Sequence, residues 1–136
     1  MATASTLRSD LGTAVDLIAG SRITGSDYSR RVALPSGTND FQIRVDAVGL
    51  DREDANTAYA LAQAEVTVAR DVGATEADAE VQSMLSLQAT LTSHAFWRAL
   101  SASVFEVTQG PEVVDTIERV GNVLAFTVRC EVRLKP

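Results

Sequence analysis

The clearest hydrophobic pattern lies near the C-terminal end, where Phe126, Val128, Cys130, Val132 and Leu134 alternate with Thr127, Arg129, Glu131 and Arg133 without interruption. Successive side chains of a β-strand point to opposite faces, so the alternation predicts a strand over 123–134 with one buried apolar row and one solvated charged row. One-sided burial favours an antiparallel sheet, because parallel strands are usually covered on both sides. Gly121-Asn122, just before it, signals the turn of a hairpin with 113–120. The alternation recurs over 41–48, with Phe41, Ile43, Val45 and Ala47 opposing Gln42, Arg44 and Asp46. Over 57–72, Ala58, Ala60, Ala62, Ala64, Val66 and Val68 recur at period two. Alanine favours helix and Glu65-Val66-Thr67-Val68 favours strand. We read this stretch as a strand, with a helical first half as the rival, whose small side chains let another layer pack closely.

Two stretches carry the helical period instead. Leu7, Leu11, Ala14, Val15 and Ile18 form one stripe over 6–19, ended by Gly20. Gly12 inside it costs about 1 kcal/mol against alanine, which marks a close approach or a weak point. The second helix is expected over 75–93. Thr75 serves as N-cap, Glu76, Asp78 and Glu80 sit at the positive end of the dipole, and Ala77, Val81, Met84, Leu85, Gln88, Leu91 and Ala95 form the covering stripe. Residues 94–100 then turn the chain into a short strand at 104–107, and Gln109-Gly110-Pro111 reads as a further turn. Asp51-Arg52-Glu53-Asp54 reads as an exposed acidic turn. Residues 21–40 lack sustained periodicity and are rich in Gly, Ser, Thr and Asn; they are expected to form a long loop, or a hairpin built on Arg31-Val32-Ala33-Leu34. The whole predicts a single α+β domain over 1–136, an antiparallel sheet covered on one face by two helices.

Composition narrows the function classes. A chain of 136 residues, 46% hydrophobic and 22% charged, is an ordinary globular one whose core is thin in aromatics. Such cores often gain stability by self-assembly. A net charge of −6 argues against coating nucleic acid or an anionic membrane. With one cysteine, no internal disulfide forms. Met1-Ala2-Thr3-Ala4-Ser5 lacks a charged leader region and no apolar run reaches bilayer length, so a soluble protein made in the cytoplasm is expected.

No reaction chemistry assembles from the residues, and no catalytic residue is assigned. Cys130 falls on the apolar row of its strand, where a thiol is inert. His94 is the one histidine, read as a helix-end residue facing the last carbonyls or solvent. One His and one Cys do not make a zinc set, and Asp51, Glu53 and Asp54 lack the rest of a calcium loop. Gly20, Gly25 and Gly37 are too scattered to cradle phosphate, so neither cofactor nor metal is expected. Helix capping already accounts for Glu76, Asp78 and Glu80. Trp97 beside Phe96 reads first as a core plug beneath the second helix, and second as an interface anchor. The polar residues with most claim to a partner are Arg22, Arg30 and Arg31 in the long loop, an excess of positive charge in an acidic chain. Arg129, Glu131 and Arg133 on the last strand are the other interface candidates, read most simply as cross-strand ion pairs.

The layout resembles the tail terminator, or tail completion, proteins of long-tailed bacteriophages. The resemblance covers most of the chain: an N-terminal helix, a long loop or hairpin, a strand pair ending in Glu65-Val66-Thr67-Val68-Ala69-Arg70, a helix beginning at Thr75, and a C-terminal hairpin ending in Phe126-Thr127-Val128-Arg129-Cys130-Glu131-Val132. The Ala-rich stretch before Glu65 and the Phe96-Trp97 turn do not match the family residue by residue. It implies a hexameric ring in the virion, assembled in the host cytoplasm. Such a ring caps the tail tube protein, stops its polymerisation and joins the head–tail connector, with DNA passing through the lumen and no sequence-specific nucleic-acid binding. The alternatives are a connector or stopper protein of the neck and, further off, a small ligand-binding α+β domain.

Overall fold

The last strand lies in the interior of the sheet, with a neighbour on each side. In a computed structural model, which describes residues 2–19, 39–52, 58–72 and 78–136, the elements are α1 (Ala4–Ala19), β1 (Asn39–Arg52), β2 (Ala58–Asp71), α2 (Asp78–Leu91), α3 (His94–Arg98), β3 (Val104–Val120) and β4 (Val123–Leu134). The strands form a four-stranded sheet in the order β1-β2-β4-β3, every neighbouring pair antiparallel. Helices and sheet together make an α+β fold.

Register stacks the apolar rows. Ile43 pairs with Val66, Val66 with Val128 and Val128 with Val113, so one line of β-branched side chains crosses the whole sheet. Phe41, Val68 and Phe126 form the line beside it. Against this face lie Leu7, Leu11 and Val15 of α1, Met84 and Leu91 of α2, and Trp97 of α3, all in one buried cluster. Each such side chain contributes about 1.5–3 kcal/mol by leaving water. Ala62 and Ala64 are fully buried at strand period, which excludes the helical rival for that stretch.

Local chemistry sets the ends. Thr3 and Thr6 cap α1 reciprocally: the Thr6 amide donates to Thr3 Oγ1 at 3.2 Å and the Thr3 amide to Thr6 Oγ1 at 2.7 Å. Gly121 takes φ +62° in the two-residue turn between β3 and β4, as the hairpin signal required. At the sheet's other corner, Asn39 Nδ2 donates to the Ala19 carbonyl, Arg70 donates to Asn39 Oδ1 at 3.0 Å, and Arg70 Nε donates to the Glu80 carboxylate. This network ties the end of α1, the start of β1, the end of β2 and the first turn of α2 together.

Several expectations are corrected. The chain does not turn at Gln109-Gly110-Pro111; one strand of 17 residues runs through it. Gly110 carries the kink at φ +83°, and a Cβ there would meet the Arg129 carbonyl at 2.9 Å. β3 absorbs its extra length as register shifts between Val104 and Glu106, Val107 and Gln109, Gln109 and Glu112, Val113 and Asp115, and Asp115 and Glu118. Residues 94–98 form the helical turn α3 rather than an irregular reversal, with Ser93 as its N-cap. Asp51 and Arg52 belong to β1, not to a turn. The stripe of α2 is narrower than expected: Met84 and Leu91 are buried, whereas Val81 and Leu85 are exposed. A short helix crossing a twisted sheet presents only a narrow line to it. For the same reason α1 buries Ala19 rather than Ile18. The loop expected over 21–40 lies outside the described residues apart from Asn39 and Asp40, which open β1, and so do Thr75, Glu76 and Ala77 at the expected helix start.

Candidate interaction face

The face of the sheet turned away from the helices is polar, and the strand registers arrange it in rows. Arg44 on β1 stands opposite Glu65 on β2, Glu65 opposite Arg129 on β4, and Arg129 opposite Glu112 on β3. Charge therefore alternates positive, negative, positive, negative across the four strands. Opposite charges facing each other across strands each stabilise the sheet by tenths of a kcal/mol, and like charges would oppose it. Arg129 donates to Glu112 Oε1 at 2.9 Å. That hydrogen bond holds the guanidinium pKa above its ordinary value, with Glu112 and Glu65 charge adding to it against a lowering by burial.

Two rows flank this one. Gln42, Thr67, Thr127 and Asp115 make the first, and the hydroxyls of Thr67 and Thr127 are hydrogen-bonded at 2.9 Å. Asp46, Gln63, Glu131 and Gln109 make the second. In it the Thr108 hydroxyl lies 2.9 Å from Glu131 Oε1 and 3.1 Å from the Glu131 carbonyl, as donor to both. Arg44 Nε reaches along its own strand to Asp46 at 3.0 Å. Towards the end of the face Arg133 donates to Glu106 at 2.7 Å and lies over the Tyr59 ring, which stacks on Phe105 with centroids 4.7 Å apart.

The structure thus brings Arg129, Glu131 and Arg133 together on one open surface, each engaged by a residue of β3. Arg22, Arg30 and Arg31 lie outside the described residues. Arg44, Glu65 and Glu112 complete the central row. The first two were visible by strand parity in the sequence, whereas Glu112 joins the row only through a register that shifts between Gln109 and Glu112.

The groups considered for chemistry stand apart from one another. Cys130 is buried in the core, and burial first, with Glu131 adding, pushes its thiol up to about 12. His94 is exposed as the first residue of α3. Trp97 is fully buried, and its indole N–H donates to the Leu91 carbonyl at 2.7 Å; it is the core plug. A groove of about 300 Å³ lies between α1 and the turn before β3, walled by Asp10, Ala14, Leu17 and Leu100. Its carboxylate, Asp10, already accepts from the Ser103 hydroxyl. Among the described residues no group of three or more His, Cys, Asp or Glu is placed to hold a metal ion, and no helix is long and apolar enough to cross a membrane. Comparison with protein-family models, with curated proteins and with solved structures finds no match for this chain.

Proposed function

We propose that this chain is a structural virion protein, a tail terminator whose copies form a ring of about six subunits on the head-proximal end of a phage tail tube. The observation that carries the reading is, among the described residues, a sheet with one helix-covered face, one charged open face, and long edge strands of 14 and 17 residues at its two sides. Exposed edges are templates for uncontrolled pairing, and proteins cover them. A ring covers two different edges with one head-to-tail contact repeated until it closes. The open face fits that role better than it fits catalysis, since its charges neutralise one another across strands instead of converging on a cleft. The layout the sequence shares with terminators adds independent support.

In this reading Arg129, Glu131 and Arg133 face the lumen or the adjoining subunit. Arg22, Arg30 and Arg31 contact the neighbouring ring, either the tail tube protein or the head connector. An acidic subunit lets DNA pass without binding it. The protein acts without cofactor or turnover. A particle lacking this protein provides the test: tails of uncontrolled length that cannot join heads are expected. Normal tails joined to heads would refute the proposal, and filled heads leaking DNA would assign the protein to the stopper of the neck.

A further inference from the structure

The rows of the open face end differently at the two edges of the sheet. The central row begins with Arg44 on β1 and ends with Glu112 on β3. The flanking rows begin with Gln42 and Asp46 and end with Asp115 and Gln109. Two of them start with a group able to bind the group on which they end: arginine with glutamate in the central row, and aspartate with a glutamine amide in the row from Asp46 to Gln109. In addition β1 and β3 run in opposite directions, because the four strands alternate along the order β1-β2-β4-β3. Bringing β3 of one copy beside β1 of another therefore continues both the antiparallel sheet and the charge alternation.

We infer that the subunit contact of the ring is an edge-to-edge joint in which Glu112 on β3 of one copy meets Arg44 on β1 of the next. The inference rests on the ring reading and names the surface that builds it. Arg44 and Glu112 have the exposure a contact needs, with side chains 70% and 52% open to solvent. β3 has no favourable pairing with itself, since it carries Glu106, Glu112, Asp115 and Glu118 against the single Arg119. β1 does have one in principle, Arg44 against Asp46 of a second β1, but that pairing leaves β3 uncovered. Pro111, which lacks an N–H, and the shifts around it break the backbone ladder of such a joint into short runs. Specificity then resides in the side-chain rows, and the joint is sensitive to charge.

Two charge reversals test this by complementation. Alone, Arg44→Glu sets two carboxylates against each other across the joint, and Glu112→Arg sets two guanidiniums against each other. Each is expected to weaken assembly about tenfold, a surface pair turned from attraction to repulsion. In an equimolar mixture an alternating ring brings the two native residues together at one joint and the two substituted ones, an arginine on β3 against a glutamate on β1, at the next. Every joint then pairs opposite charges, and assembly is expected to recover. The swapped pair is therefore placed on a single chain as well: the double variant Arg44→Glu with Glu112→Arg presents an arginine on β3 to a glutamate on β1 at every joint. Each reversal also faces a like charge within its own sheet, Glu65 for Arg44→Glu and Arg129 for Glu112→Arg, and the double variant keeps both clashes. Its recovery therefore reads the joint alone: it should assemble, as native mass spectrometry reads it, at a concentration where each single variant stays dissociated. Circular dichroism identifies a variant that fails to fold, in which case Arg44→Gln and Glu112→Gln are used, each expected to weaken assembly to a lesser degree. Single reversals that assemble like the parent, a folded double variant that stays dissociated, or a loss confined to Arg44→Glu with a two-copy product would overturn the joint while leaving the ring intact as a reading. A parent that remains monomeric both free and on tail tubes would overturn the ring as well.

Discussion

Trp97 is the residue whose replacement tests the packing argument most sharply. It has no exposed surface, and its indole N–H donates to the carbonyl of Leu91, the last residue of α2. The final carbonyls of a helix have no partner inside it, and this one sits in a fully buried residue, where an unmade hydrogen bond costs about 1–3 kcal/mol. Replacing Trp97 by Phe removes the donor and part of the ring. The volume lost adds about 1–2 kcal/mol, a fraction of the roughly 3–5 kcal/mol for truncation of an aromatic to alanine. Trp97→Phe should therefore cost about 2–5 kcal/mol, a large part of the roughly 5–15 kcal/mol expected for a whole domain. The assay is urea unfolding followed by far-ultraviolet circular dichroism, because Trp97 is the chain's one tryptophan and its fluorescence disappears with it. At a slope of about 2 kcal/mol per molar, the midpoint should fall by about 1–2.5 M with the slope unchanged. A Trp97→Phe protein within about 0.3 M of the parent would refute the assignment of the indole N–H as the partner of α2's last carbonyl.

Two other perturbations follow from the same core. A Cβ on Gly12 would meet Ile43 Cδ1 at 3.7 Å, an ordinary contact, so Gly12→Ala should gain about 0.5–1 kcal/mol of helix propensity and raise the melting temperature by about 2–4 °C; a fall would place α1 too close to β1 for a methyl group. Cys130 should resist a thiol reagent at about pH 8 until the protein unfolds. Its folded pKa, raised to about 12, lies above the unfolded value, so its stabilising share is present below the unfolded pKa and is lost as pH climbs towards the folded one. The parent should lose stability relative to Cys130→Val across that window, and parallel curves would contradict the burial argument.

Much of this fold was readable from period alone. The last strand, the strand at Phe41, the alanine-rich strand and both long helices follow from where apolar residues recur, because a strand buries every second residue and a helix every third or fourth. That Cys130 lies in the core, and that Arg129, Glu131 and Arg133 share the opposite face, needed only strand parity. The same reasoning failed where local signals compete with pairing. Gly110-Pro111 is a turn signal, yet β3 runs through it, because the pairs that flank it with β4 outweigh the preference of two residues. Val81 and Leu85 fit the helical stripe of α2, but which part of a stripe meets the sheet depends on the crossing of the two, which no single segment encodes. The candidate face depended most on tertiary structure. Arg44, Glu65, Arg129 and Glu112 are spread over four strands, and their alternation into one row is a property of three registers at once. A sequence states the charge each strand carries; only the paired sheet decides which charges stand side by side and which are left at the edges.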